Sequence, residues 1–404
     1  MRILIETGNH SLNNLGDVAM LRVAVDRLAN LWPGAELHVR TRQLAELQAQ
    51  VPGAEGLSIP FPLWQRGLAG LLQRLPATAR YGVPAGLEGS LLAISSSLAS
   101  RGVGQLVGEY DLVVMPGCGL IADPFWRPAI SRLQTLEAAH NHDVPTVLLS
   151  QGVGPVTHPR MVEWARQVLP NTSLIGLRES RRAPALLSEL GVKPDRVKIM
   201  GDDSLSLARP ADHAGRLRTD LGWNLRPATY SGLLAGGLEP IRQLVEALSR
   251  MAQSRGSSLR LLSIHQDDGP WMSAIAARTP ISSQFVFHEH RLDQLLASVA
   301  ACRVVVAGSY HAAVLALAHG APAICLINSR YYRWKFEGLA DRFPDGCRLV
   351  DLANQGWVSQ VLSEVEAMWE SAPEIGPMIV QRAHEQVEQS DNVYDQLPGI
   401  VGHT

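Results

Sequence analysis

Cysteine is scarce, net charge is close to zero and long apolar runs are missing; each absence removes a class of protein. The four cysteines, Cys118, Cys302, Cys325 and Cys347, share no CxxC or Cys/His spacing, so neither a metal site nor a disulfide scaffold is expected. With 36 Lys and Arg against 38 Asp and Glu, the formal net charge is −2, too little to bind nucleic acid through a general positive field. No stretch supplies the ~20 uninterrupted apolar residues of a membrane span. The opening MRILIET lacks the basic, then apolar, then small-residue order of a secretory leader and reads as a core strand. The cytoplasm is the expected location.

What is present suffices for large cores. Of 404 residues, 46% are apolar and only 18% charged, and at ~150 residues per domain a chain of this length divides into two. Strand-like runs in the first half are Arg2 to Glu6, Ala35 to Val39, Leu112 to Met115, Thr146 to Leu149, Leu174 to Leu177 and Val197 to Met200. Helical patterns such as Asp17 to Leu31 and Arg181 to Leu190 separate them. The alternation pauses over a polar, Arg-rich stretch, Ala208 to Pro227, which reads as a linker. It resumes with Ser231 to Ala235, Leu259 to Ile264, Phe285 to Phe287, Val304 to Val306 and Ala323 to Leu326. Strand then helix, repeated, implies parallel sheets with right-handed crossovers. The predicted fold class is α/β, with two Rossmann-like, doubly wound parallel-sheet domains facing a cleft, over residues 1–207 and 228–375. A last helical pattern, within 376–404, is placed to cross back to the first domain.

Residues 59–104 break this rhythm. Trp64, Leu68 and Leu71 alternate with Arg66, Arg74 and Arg80, a pattern that suits either a helical insertion packed on the first domain or a basic amphipathic helix on an anionic membrane surface.

The chemistry-bearing residues cluster where predicted strands end. In VVVAGSYHAAVLALAHGAP a buried run stops at Gly308 and an Ala/Leu-rich helix begins, which puts Ser309, Tyr310 and His311 at a strand's carboxyl end and a helix amino terminus. Open α/β sheets bind ligands there, because unpaired N–H groups and the helix dipole converge. Imidazole gains and loses a proton near neutral pH, which makes His311 an acid–base candidate. NNLGD places Asn14, Gly16 and Asp17 after the first strand, where Asp17 either caps a helix or faces a ligand. MPGCG and SQGVG end two further strands, with Gly117 and Gly119 able to form an anion nest and Gln151 and Gly152 on the same rim. Arg178 ends the next, where its guanidinium either grips an anion bidentately or makes a surface ion pair. GDDSL offers the carboxylates Asp202 and Asp203, for acid–base work or for caps. In the second half His265 lies in a polar loop, and Arg330, Arg333 and Lys335 offer cations for a phosphate subsite.

In this order and spacing the motifs resemble the polysaccharide pyruvyl transferase family over nearly the whole chain: NNLGD, PGCGLIAD, QGVGP, Arg178-Glu179-Ser180, GDDSL and HAAVLALAHGAP. The resemblance implies a GT-B-like fold and transfer of a pyruvyl group from phosphoenolpyruvate to two sugar hydroxyls as a ketal, in polysaccharide biosynthesis for the cell envelope. It implies no cofactor, phosphoenolpyruvate being a co-substrate. The expected catalytic residues are His311, Asp17 and Asp203. Donor contacts are expected from Arg178, Ser309, Tyr310, Arg330, Arg333, Lys335, Gly117 and Gly119, and acceptor contacts from Asn14, Gly16, Gln151, Gly152 and His265. The first domain is the expected acceptor side and the second the donor side. The acceptor is a sugar or glycan, free or lipid-linked; a lipid-linked one would bring the protein to the inner face of the membrane. One element departs from the family pattern. Where the family carries Arg-Leu-His this chain has Ser309-Tyr310-His311, so Arg330, Arg333 or Lys335 is expected to supply the missing cation. A nucleotide-sugar glycosyltransferase and a non-catalytic binding protein are the alternatives on the same scaffold.

Overall fold

The computed structural model describes residues 1–7, 10–58, 106–208, 218–279 and 285–402. The expected insertion at 59–104 lies outside them. Two parallel sheets carry the fold. The first has the order β3-β2-β1-β4-β5-β6-β7, from β1 (Arg2–Glu6), β2 (Glu36–Arg40), β3 (Glu55–Leu57), β4 (Leu112–Met115), β5 (Thr146–Gln151), β6 (Leu174–Leu177) and β7 (Val197–Ile199). The second has the order β10-β9-β8-β11-β12-β13, from β8 (Asp220–Asn224), β9 (Leu259–Leu261), β10 (Phe285–Val286), β11 (Cys302–Ala307), β12 (Ala323–Ile327) and β13 (Cys347–Asp351). Helices cover such sheets on both sides, so the central strands read as continuous apolar runs, LVVM in β4 and AICLI in β12, buried at every residue.

Strand order reverses between β1 and β4 in one sheet and between β8 and β11 in the other. Those switch points open crevices at the carboxyl ends of the strands. The helix that follows β11, Tyr310–Ala318, is buried at every position, as a helix apolar on all sides must be. It packs on β11 and β12, on the 3-10 turn Asp203–Leu207 of the first domain and on the long helix Trp357–Tyr394. That long helix joins both halves. Val361, Val365, Met368 and Trp369 belong to the second domain's core, while Ser390 Oγ accepts from the Gly201 N–H at 3.0 Å.

Two expectations are corrected. The linker is not a linker throughout, because DLGWN forms β8 at the centre of the second sheet, paired to β9 and β11. Its polar residues are satisfied locally: Asp220 bonds the Arg260 side chain and Asn224 Nδ2 donates to the Leu262 carbonyl at 2.7 Å. The strand expected at Ser231 to Ala235 is instead a 3-10 turn, Thr229–Ser231, ended by Gly232 at φ 70°. Among the described residues no helix is long and apolar enough to cross a membrane.

Candidate functional site

The first helix, Leu15–Leu31, starts at the switch point of the first sheet. Asn14 is its cap, with Oδ1 accepting from the Gly16 N–H at 2.9 Å. Asp17, one reading of which was a cap, instead lies in the first turn. The loop before the helix is fastened across the cleft. Leu15 N–H donates to the Ile264 carbonyl at 2.7 Å, Gln266 N–H to the Asn13 carbonyl at 2.9 Å, and Asn14 pairs with His265 as an isolated bridge. Asn14 and His265, both expected at the acceptor, thus meet at the seam between domains. Burial, aided by Arg226, pushes the His265 imidazole down to about 4, so it is neutral at physiological pH.

From the second sheet, β11 ends at Ala307 and Ser309 opens the buried helix, with His311 in its first turn. Two strand ends of the first sheet meet it there. Arg178 follows β6 and Asp202 follows β7. Arg178 Nη1 lies 2.7 Å from Asp202 Oδ2 and 3.5 Å from His311 Nε2, and Asp202 Oδ2 lies 3.6 Å from the same imidazole nitrogen. The guanidinium sits 4.2 Å over the Tyr310 ring. All four side chains are buried, at 5% exposure or less. Burial alone would raise the Asp202 carboxyl, but Arg178 and His311 outweigh it and hold the group well below the carboxylate range. Burial likewise disfavours the charge on Arg178, yet Tyr310 and Asp202 keep it protonated.

Lys335 completes the group from helix Arg330–Arg342. Its Nζ stands 4.4 Å from the Tyr331 ring centroid and 5.3 Å from that of Tyr310. Desolvation, reinforced by Arg178, pushes the ammonium down to about 7. Two buried donors at this point have no partner among the described residues: Arg178 Nη2 and Ser309 Oγ. Asp17 is half-buried and lines a small crevice with Thr7, Ser11, Leu12, Leu21, Pro116 and Gly117.

Side chains approach closely at four of the glycines expected in the site, two at the predicted nest (Gly117 and Gly119) and two at the acceptor side (Gly16 and Gly152). A Cβ on Gly119 would lie 2.2 Å from Lys335 Nζ, one on Gly152 3.0 Å from Arg178 Nη2, one on Gly117 2.4 Å from Met20 Sδ, and one on Gly16 2.0 Å from His311 Nδ1. Gln151 is fully buried, and its amide donates to the carbonyls of Met115, Pro116 and Leu149 at 3.1, 2.9 and 3.0 Å, bracing the PGCG turn. Asp203 is engaged outside this constellation, accepting from Arg27 at 2.7 Å and Tyr394 at 2.9 Å. Burial pushes its carboxyl up to about 7 against the pull of both. Arg333 pairs with Asp351 and Arg330 is exposed, so of the three expected cations only Lys335 joins Arg178. The structure also adds residues. Tyr331 donates to the Gly119 carbonyl at 3.0 Å, and Phe125 of the first domain packs on Tyr230 and Tyr331 of the second, with ring centroids 4.8 and 5.3 Å away. Among the described residues no group of three or more His, Cys, Asp or Glu has the arrangement of a metal site.

Two doubly wound domains whose strand ends face each other define the GT-B-like class. Solved structures share this architecture at identities that show fold alone. HepE of Anabaena in complex with UDP and glucose matches with TM-score 0.59 and 14% identity, over 99% of this chain and 100% of that one. MnaA of S. aureus with UDP matches at 0.63 and 12%, over 100% and 97%, and the UDP-GlcNAc 2-epimerase of Neisseria meningitidis bound to UDP-GlcNAc at 0.61 and 9%, over 99% and 100%. No curated protein matches the chain. The family is nevertheless plain: the polysaccharide pyruvyl transferase model matches residues 14–330, and the chain belongs to that family of transferases.

Proposed function

We propose that the protein moves a pyruvyl group from phosphoenolpyruvate onto two hydroxyls of a sugar, forming a cyclic ketal and releasing inorganic phosphate. The observation that supports it best is a buried donor without an acceptor, Arg178 Nη2, on a guanidinium that stands beside His311 and shares the Tyr310 ring with Lys335. Buried donors rarely go unpaired. A small ligand with a carboxylate and a phosphate would supply the acceptor.

In this reading His311 delivers a proton to the methylene carbon of the enol phosphate. The neighbouring carbon gains positive charge and is attacked by an acceptor hydroxyl whose proton passes to Asp17. Phosphate leaves with the electron pair of its carbon–oxygen bond and takes the proton held by Asp17, the second hydroxyl adds to the same carbon, and its proton returns to His311. Asp203 is left out because Arg27 and Tyr394 hold it. Asp202 acts through Arg178 and His311 as a positioning residue. The reaction is placed in the cytoplasm, at the inner membrane face for a lipid-linked acceptor.

A nucleotide-sugar glycosyltransferase is the second reading, favoured by the UDP in the related folds. A melting-temperature screen separates the two, since a ligand that binds the native state stabilises it by mass action. Phosphoenolpyruvate is expected to raise the melting temperature, whereas stabilisation by nucleoside diphosphates alone would overturn the pyruvyl assignment.

A further inference from the structure

We propose that Lys335 sets the site's selectivity for a donor with two anionic groups, by taking up a proton as that donor binds. The inference rests on the proposed function for the identity of the donor, and on the following geometry for the role of the lysine.

Lys335 is the cation of this site that lacks a carboxylate. Among the described residues its Nζ makes no hydrogen bond or ion pair; its close neighbours are the Tyr310 and Tyr331 rings and the backbone of Gly119, where any side chain would displace it. Arg178, by contrast, has Asp202. The charged and titratable groups that act on the amine are Arg178, which disfavours its charge, and Asp17, Cys118 and Asp202, which favour it more weakly, with Tyr310 and Tyr331 as its ring contacts. Desolvation, then the neighbouring guanidinium, pushes the amine down to about 7, although the ring faces beside it favour the ammonium. A ligand placing one anionic group on Arg178 and another against Lys335 reverses that balance, since an opposite charge favours the ammonium. A donor with one anionic group gains the first contact and not the second.

The signs follow from linkage. The free amine is largely deprotonated above about pH 7, and the bound one is protonated, so binding takes up a proton in that range and affinity falls as pH rises. Arg330 and Arg333 lie outside this arrangement and bear none of it.

The experiment is calorimetric titration of the full chain with phosphoenolpyruvate, inorganic phosphate and UDP, each in buffers of differing ionisation enthalpy. Wild type is expected to take up about one proton per phosphoenolpyruvate near pH 8. K335M is expected to bind it roughly 10- to 100-fold more weakly, as befits one lost charge-assisted hydrogen bond, with no proton uptake. It should also melt close to wild type without ligand, because the half-buried amine that is removed has no carboxylate partner to lose. K335R is expected to keep binding and lose the uptake. Equal phosphoenolpyruvate affinity in wild type and K335M, or binding without uptake in wild type, overturns the proposal. Binding of UDP but not phosphoenolpyruvate defeats the pyruvyl assignment instead; the lysine's role then fails as well if UDP and phosphate affinities are indifferent to K335M, and its proton uptake stands if they are not.

Discussion

Gly16 of the first domain and His311 of the second are in such close contact that a Cβ on the glycine would lie 2.0 Å from Nδ1 and 2.1 Å from Cγ of the imidazole. Glycine at this point admits a side chain from the facing domain. Gly16→Ala should therefore push His311 out of its place or part the domains, with a stability loss of about 1–3 kcal/mol from overpacking and a turnover loss on the order of 100-fold from misplacement. Thermal unfolding and steady-state kinetics measure the two. Wild-type turnover in Gly16→Ala would show that His311 need not stand where it does.

Removing the imidazole directly tests its chemistry. His311→Asn keeps a polar group in the helix's first turn and is expected to lower turnover by roughly 10²- to 10⁴-fold, the usual worth of a general acid, beyond a fall in melting temperature from the lost buried contacts to Asp202 and Gly16. Ketal formation followed by proton NMR of the product methyl group reports it. Undiminished activity would take the proton-transfer role away from this residue.

Asp202→Asn should be a stability mutation as much as an activity one. It leaves the buried Arg178 without its carboxylate, a loss on the order of 3–5 kcal/mol. Because the folded carboxyl is held below its unfolded value, its stabilising contribution is complete above about pH 4 and is lost as pH falls further through the folded value. Denaturant titrations from neutral to acid pH should show that acid limb in wild type and its loss in Asp202→Asn. Parallel curves for the two proteins would contradict the ion pair.

Tyr394→Phe should separate architecture from catalysis. The lost hydroxyl donates to Asp203 at 2.9 Å, so stability is expected to drop by about 1–3 kcal/mol, the cost of leaving a buried acceptor short of a donor. Turnover at a temperature where both proteins are folded should be unchanged. A large fall in kcat with full stability would return Asp203 to the catalytic set.

Much of this was readable from residue pattern because parallel strands buried on both faces announce themselves: LVVM, TVLL, LIGL and AICL all lie within observed strands. The strands that escaped, Glu55–Leu57, Asp220–Asn224 and Cys347–Asp351, carry Gly, Asp, Asn or Arg inside them. In DLGWN the glycine leaves room for Val305, Cys302 and Leu262 side chains, and the end residues are bonded by neighbours far along the chain. The site divides the same way. Strand ends put Arg178, Asp202 and His311 on facing rims, which local pattern can show. Which carboxylate of the Asp202-Asp203 pair meets the histidine, and which cation of Arg330, Arg333 and Lys335 turns inward, depends on the angle of one domain on the other. No stretch of sequence encodes that angle by itself.

Helix Trp357–Tyr394 begins in one core and ends against the other, and the chain passes between the halves a first time between residues 208 and 218. The helix is a continuous tether between the halves. Pro373 and Pro377 interrupt the ladder near the middle of the helix, the place where such a tether bends most easily. A change of bend at these two prolines would alter the angle between the halves, so the carboxyl-terminal helix is where that angle is open to substitution far from the chemistry.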